Sequence, residues 1–519
     1  MNSPPLLALL ERGAQRYQAD DLPGASEAFR AALDLEPDEP RALFGLGIVD
    51  LKQGDWIGAL VKGHQALRQA PAFAEGHHLV AQALRGQGNP RQAIPFYRQA
   101  QILAPSHADN VLRLGLTLAE VGELAEAAEW LQRFFVSEPL LAHRDEGAVL
   151  GTAHRLLGAL WQQTGVLEAL RRRQPAGTSA PAPGRRPTVL IICPRYLGGQ
   201  RDRGMSAEYA VMVPPLEATG LADVVTVSPD DLPEHQTFET ALFRTLSNTR
   251  VDAVVYTHRA DEVVCRLELL RVLRATCDAP IVCVHTDSAS PWNIWAADAL
   301  TPLCDLHVAL DSQSGFQTYS FCPWAYVSMW NPLDTRHFYR GTGTRDLDVC
   351  FIGSVEVYPQ RKAALAFLRQ HGVDVFLRAG GPGAGSPSLQ EYADYFRRAK
   401  IVLNFSHASN NPDAHHLKGR VLEAMTCGAL VLESANTENG RLFAVGRDYD
   451  TFADHTDLLA KIRHYLRHDA ERIALADRGH ATATSRYTAE TFWRRILGHV
   501  GLGQPAAACT ANTLDTLQY

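Results

Sequence analysis

The sequence predicts a helical solenoid followed by an α/β part built as two successive units. Three observations predict it. Four prolines, Pro37, Pro71, Pro105 and Pro139, recur every 34 residues in the first third. Beyond residue 187, continuous apolar runs alternate with helical stretches, which is the pattern of parallel strands covered on both faces. That alternation restarts near residue 347. Length agrees, because 519 residues exceed one hydrophobic core and suggest about three domains of ~150 residues.

The composition is that of an ordinary globular protein, 46% hydrophobic and 21% charged. A net charge of −7 argues against nucleic acid as the main partner, since a phosphate-backbone binder presents a basic face. No apolar run approaches the ~20 residues that span a bilayer. The start, "MNSPPLLALLERGAQRY", has neither a basic n-region nor a cleavage site. Nine cysteines occur without a CxxC pair, and Cys193, Cys283 and Cys350 sit inside apolar strands. They read as reduced, buried side chains of a cytoplasmic protein, with no metal site expected.

In the repeats, the phrases "AALDLEP", "QALRQAP", "QAQILAP" and "QRFFVSEP" each end on one of the four prolines. Ala32, Ala66 and Ala100 stand five residues before the first three, and Phe134 before the fourth. Ala25, Ala59, Ala93 and Ala127 stand twelve before. Gly54, Gly88 and Gly122 punctuate the turn between two helices. Small residues at fixed positions let paired helices approach, and the proline stops the second helix. This resembles the tetratricopeptide repeat in four units over residues 9 to about 140. A degenerate fifth unit follows, with Gly158 and Gly165 in register. Repeats and flanks are assigned 1–174. A solenoid of this kind implies a concave groove for a protein or glycan acceptor, although a helical array without a binding role is the plainer alternative. "QPAGTSAPAPGRRP" follows with no apolar period, and 175–187 is assigned as a linker.

The first α/β unit, 188–331, carries strands at 188–194, 223–228, 251–258, 280–287 and 305–312. The second, 332–486, carries strands at 347–353, 373–380, 399–406 and 429–434. Both read as Rossmann-like. A last helix is expected at 487–500, and 501–519 is expected to be a disordered tail.

Between the units, "NPLDTRHFY" is similar to the interdomain phrase Asn-Gly-Val-Asp-Thr-x-x-Phe of the group 1 glycosyltransferases with the GT-B fold. Asn331, Asp334, Thr335 and Phe338 fit, and Pro332 replaces the glycine. "CFIGSVEVYPQRK" and "KGRVLEAMTCGALVL" follow in that family's order. The branch that the chain resembles is the spore-maturation glycosyltransferase-like one, over residues 188 to 500 and most strongly from 331 to 435. The resemblance implies two Rossmann-like units in a GT-B arrangement, the first holding the acceptor and the second the nucleotide-sugar. It implies no cofactor and no catalytic metal. In the family the final helix crosses back to the first unit.

A diphosphate needs cations or free backbone N–H groups, and a strand ending in glycine before a helix start supplies the latter. Gly353 and Ser354 end one such strand, with Arg361 and Lys362 at the next helix entry. Lys418 and Arg420 lie at a second entry. Glu423 follows them, an acid in an apolar segment. In the family this glutamate grips the ribose, whereas a helix-start glutamate capping Arg420 is the plainer reading. Many group 1 enzymes carry an acid eight residues earlier. Here that position is His415, with Asp413 near but out of register, so the sugar contact is altered.

In the first unit, the loop "PRYLGGQRDRGMSAEYA" places Gly198 and Gly199 on the acceptor side. "VHTDS" ends a strand with His285 and Asp287, which are site candidates against a packed histidine and a turn-capping aspartate. With Arg361 and Arg420, these two form the expected catalytic set. The expected function is transfer of a sugar from a nucleotide-sugar to a protein or glycan, retaining and metal-independent. The alternative is a non-catalytic repeat scaffold carrying a degenerate GT-B unit.

Overall fold

A computed structural model describes residues 4–136, 147–173, 185–258, 267–378, 387–407 and 414–503. The chain divides into two compact units, Met1–Arg171 and Arg172–Tyr519. Among the described residues, no helix is long and apolar enough to cross a membrane.

Among its described residues the first unit is a run of helices from Pro4–Gln18 to Val166–Arg172, and the first eight, to Leu124–Val136, pack as four consecutive pairs. The tight turns within pairs demand a left-handed residue. Gly54, Gly88, Gly122 and Gly165 supply it at φ of 80°, 79°, 88° and 77°. The first pair has Asp20 there instead, at φ 62°. Asp21 and Asp55 cap the following helices by accepting from the amides of Gly24 and Gly58, each at 2.9 Å. Ala25, Ala32, Ala59, Ala66, Ala93 and Ala127 are fully buried where helices cross. A larger side chain there would overpack the crossing, at a cost of about 1–3 kcal/mol. Pro139 and most of the expected linker lie outside the described residues.

Arg173 belongs to the second unit rather than to the repeats. Its guanidinium donates to the carbonyls of Thr301, Pro302 and Cys304. Among its described residues the second unit holds two sheets, each wholly parallel. The first runs in the order β2-β1-β3-β4-β5-β6, with β1 Thr188–Ile192, β2 Asp223–Val227, β3 Ala253–His258, β4 Ile281–His285, β5 Leu306–Ala309 and β6 Tyr326–Ser328. The second runs β11-β10-β9-β7-β8, with β7 Leu347–Ile352, β8 Phe376–Arg378, β9 Ala399–Asn404, β10 Leu430–Ser434 and β11 Asp450–Phe452. The edge strands β6 and β11 were not expected, because three residues are too few to show a period.

In the second sheet, β8 lies on one side of β7 and β9 on the other, so the strand order reverses between β7 and β9. Open α/β sheets bind ligands at the carboxyl ends of such a pair. Helix Pro359–Gln370 follows β7 and helix Gly419–Thr426 follows β9, which brings both basic helix entries to one place. Helices Pro359–Gln370 and His455–Arg467 pack on one face of this sheet through Leu365, Leu368, Leu458 and Ile462. The last helix, Ala489–His499, lies on helix Ala207–Thr219 of the first half, and Phe492, Trp493 and Ile496 share one apolar cluster with Met212, Val213 and Leu216.

Candidate functional site

The end of β7 is built around an arginine. Gly353 has φ 149°, and a Cβ added there would fall 2.4 Å from Nη2 of Arg420. The glycine is therefore needed for the guanidinium as much as for the backbone. Arg420 lies over the Phe351 ring, 4.9 Å from its centroid, and Nη1 donates to Asn404 Oδ1 at 2.6 Å. Lys418 stands immediately before the first residue of the same helix. Its ammonium makes no hydrogen bond or ion pair among the described residues. Burial pushes its pKa down to about 8, Arg361 and Arg420 add to that, and Asp311 and Asp287 oppose it.

Arg361 is buried beside them, but its fork is already engaged. Nη1 donates to Ser354 O at 2.9 Å and Nη2 to Phe405 O at 3.0 Å, while the plane stacks 3.5 Å from the Tyr358 ring centroid. Burial lowers its pKa to about 10, with Arg420 adding to the shift. It ties the end of β7 to the chain leaving β9. Ser354 contributes its carbonyl to that tie.

Glu423 has two unlike oxygens. Oε2 accepts from the Tyr392 hydroxyl at 2.6 Å. Oε1 has no hydrogen-bond partner among the described residues, and Gly419 leaves space beside it, since a Cβ there would lie 3.3 Å from Oε1 and 2.8 Å from Asn331 Nδ2. Burial raises the carboxyl pKa, against Tyr392 and Arg420.

Two expected residues stand apart from this group. Lys362 is exposed and pairs with Glu356 at 3.1 Å, because one helical step past the buried Arg361 turns its side chain to solvent. His285 is buried in the first sheet, with Nε2 2.9 Å from His307 Nδ1 and the two rings stacked. It is a packed core histidine. Asp287, two residues on, is half exposed at the end of β4, and its carboxylate lies 3.7 Å from His416 Nδ1. Gly198 and Gly199 are exposed at φ 60° and 69° in the loop after β1, which Asp230 anchors by accepting from the amides of Arg195 and Tyr196. The His415 ring lies 4.7 Å from that of His407 and is tilted against it by 52°, and Asp413 lies outside the described residues.

Sequence reasoning missed the residues that join the two halves of the second unit. His416 Nδ1 lies 2.7 Å from Asp311 Oδ2, and the Leu417 amide donates to the Asp311 carbonyl. Glu438 is buried and accepts from the amides of Gln313 and Ser314, each at 2.9 Å. The signal for Asp311 was its place at the end of a strand. Glu438 stood in a polar phrase, "ANTENG", that reads as a surface loop. Two clusters, Asp287–Asp311–His416 and Cys283–His285–His307, place possible metal-ligand atoms within 4.8 Å of one another. In the first, the Asp311 carboxylate also takes the Ser288 amide at 2.6 Å.

Comparison with known proteins agrees with both units. The tetratricopeptide-repeat family matches residues 10–72 and 80–134, and the family described as "Glycosyl transferase-like" matches 361–498. The chain joins tetratricopeptide repeats to a glycosyltransferase-like domain. No curated protein matches the chain. Among solved structures, a mutant O-GlcNAc transferase of Thermobaculum terrenum is 15% identical, covering 96% of this chain and 99% of that one, with a TM-score of 0.31. Anabaena HepE in complex with UDP and glucose is 14% identical, covering 60% and 98%, with a TM-score of 0.42. A thermophilic tetratricopeptide-repeat protein of Thermus thermophilus is 26% identical, covering 32% and 87%, with a TM-score of 0.25. The glycosyltransferase-like match falls on the second of the two parallel sheets of this unit, each of the Rossmann-like kind that the sequence predicts.

Proposed function

We propose that the second unit is a glycosyltransferase that takes a sugar from a nucleotide-sugar, and that the repeats recruit its protein or glycan acceptor. One observation carries this reading. Arg361, Lys418 and Arg420 gather at the point where the sheet order reverses, and none forms an ion pair with a carboxylate among the described residues. Burial and the neighbouring cations lower the pKa of Arg361 and of Lys418, so the cluster calls for an anion, and a diphosphate brings one.

In this reading Arg420 and Lys418 bind the phosphates, Gly353 gives Arg420 its room, and Arg361 holds the two strand ends in place. Glu423 accepts a ribose hydroxyl on Oε1 while Tyr392 fixes Oε2. Asp287 and the Gly198–Gly199 loop face the acceptor. The bond between the sugar C1 and the phosphate oxygen breaks, and the phosphate leaves with the electron pair. The acceptor oxygen bonds to C1 on the same face, and its proton passes to the departing phosphate. The developing charge is stabilised by Arg420 and Lys418, so neither a metal nor a cofactor enters the proposal.

The experiment is a panel of nucleotide-sugars tested for hydrolysis and for thermal stabilisation. At least one should be hydrolysed, and Arg420→Ala should slow that reaction on the order of 10²-fold, the usual effect of removing one charge-stabilising donor. A protein that neither binds nor cleaves any of them is a scaffold rather than an enzyme.

A further inference from the structure

Behind Arg420 lies a buried acid that the reaction above does not use. Glu433 is fully buried at the end of β10. It is the direct partner of Asn404 across the parallel pair β9–β10, so both side chains rise from the same face. Asn404 Nδ2 donates to Glu433 Oε2, Asn439 Nδ2 donates to the same oxygen at 2.8 Å, and the Ser434 hydroxyl donates to Oε1 at 3.0 Å. On its other side, Asn404 Oδ1 accepts from Arg420 Nη1 at 2.6 Å.

We propose that Glu433 is a positioning residue for Arg420, acting through Asn404. An amide has one donor end and one acceptor end. While Glu433 is an acceptor, Asn404 must turn its NH₂ to Glu433 and its carbonyl to Arg420. Without that acceptor the amide is free to turn over, and its NH₂ would then face the guanidinium. Among the described residues, the phosphate-binding arginine would lose its one side-chain hydrogen bond. Asn439 sits beside Glu438 in helix Thr437–Gly440, so the element that contacts the first half also holds Glu433.

The arrangement makes Arg420 sensitive to the ionisation of Glu433. The charged and titratable groups that face Glu433 are Arg420 on helix Gly419–Thr426, Arg361 on helix Pro359–Gln370 and Tyr449 just before β11. Burial raises the Glu433 carboxyl to about 7, against the hydrogen bonds from Asn404, Ser434 and Ser406. A protonated Glu433 needs an acceptor for its own proton where three donors already converge. Arg420 is therefore best placed above that pH.

The proposal rests on the glycosyltransferase reading for its kinetic consequence, so the test has a second readout. The first is the Arg420 guanidinium resonance in the full chain, assigned by its loss in Arg420→Lys and followed from pH 5.5 to 8.5. It should titrate near 7 in the wild type and stay flat in Glu433→Gln, whose NH₂ meets the same converging donors and so holds the low-pH position at every pH. The second is hydrolysis of the best nucleotide-sugar, per folded molecule. Glu433→Leu should lower kcat on the order of 10²-fold, as misplacing a group by about 1 Å does. Glu433→Gln, neutral at every pH, should keep the wild type's low-pH rate throughout and lack the rise near pH 7. A wild-type Arg420 resonance that ignores pH overturns the proposal, as does a Glu433→Leu protein with unchanged kcat. A resonance that titrates as expected in a protein that cleaves no nucleotide-sugar leaves the positioning intact and removes the functional reading instead.

Discussion

Gly353→Ala separates the two reasons for that glycine. The added methyl would lie 2.4 Å from Arg420 Nη2, 3.3 Å from its Cζ and 3.6 Å from the Phe351 ring. Nothing real sits that close, so the guanidinium must retreat. A φ of 149° also strains any L-residue, at about 1–3 kcal/mol. Gly372→Ala is the matched control, because Gly372 has φ 75° but open space around its missing Cβ. Both variants should lose about 1–3 kcal/mol of stability in urea unfolding. Only Gly353→Ala should also weaken nucleoside diphosphate binding, by about 1.5–3 kcal/mol for a lost charged hydrogen bond. Calorimetric titration reads the difference. A Gly353→Ala protein that binds as tightly as Gly372→Ala would refute the claim that the glycine exists to seat Arg420.

Other outcomes follow from the same geometry. Arg361→Met should cost about 2–3 kcal/mol of stability, because the buried carbonyls of Ser354 and Phe405 lose their donor, and this loss should exceed that in Arg420→Ala. Glu423→Ala should weaken nucleotide-sugar binding by about 1.5–3 kcal/mol, measured by calorimetry, without unfolding the chain. Glu433 has a folded pKa raised above its unfolded value, so its contribution to stability is fully present below about 4.5 and lost as pH rises through about 7. That loss is about 3 kcal/mol from the 1.36 kcal/mol carried by each pKa unit, and Glu433→Gln should flatten this part of the pH–stability curve. A chain beginning at Arg172, which keeps the Arg173 contacts to Pro302 and Cys304, should fold and cleave the donor but lose transfer to a macromolecular acceptor. Full transfer by the shortened chain would make the repeats a separate interaction module.

Much of this was legible because periodic signals are strong. The 34-residue spacing of alanines and glycines reports helix crossings and turns directly, and the apolar runs of β1, β3, β4, β7 and β9 can only be buried strands. Glu423 and Arg420 were legible as polar residues at a helix entry between buried strands. What escaped were long-range side-chain partners. Nothing in "VLNFS" and "LVLES" says that Asn404 and Glu433 face each other, since register across β9 and β10 is set by tertiary packing. Tyr392 drew no notice in the sequence, and its hydroxyl contact with Glu423 spans 31 residues. Lys362 and Arg361 are neighbours in sequence but lie on different sides of their helix, a distinction that only the helix rotation decides. His285 ended a strand at the expected edge, yet its ring turned inward to His307.

The most direct test of the account is whether the cation cluster binds a nucleoside diphosphate. Titrating the full chain with UDP, GDP, ADP, CDP and dTDP in turn, in the presence of a chelator, measures it. The account predicts that at least one binds at a single site, that Arg420→Ala weakens it more than tenfold for a lost charged hydrogen bond, and that Lys362→Ala leaves it unchanged. Failure of all five to bind, or equal binding by Arg420→Ala, would contradict it.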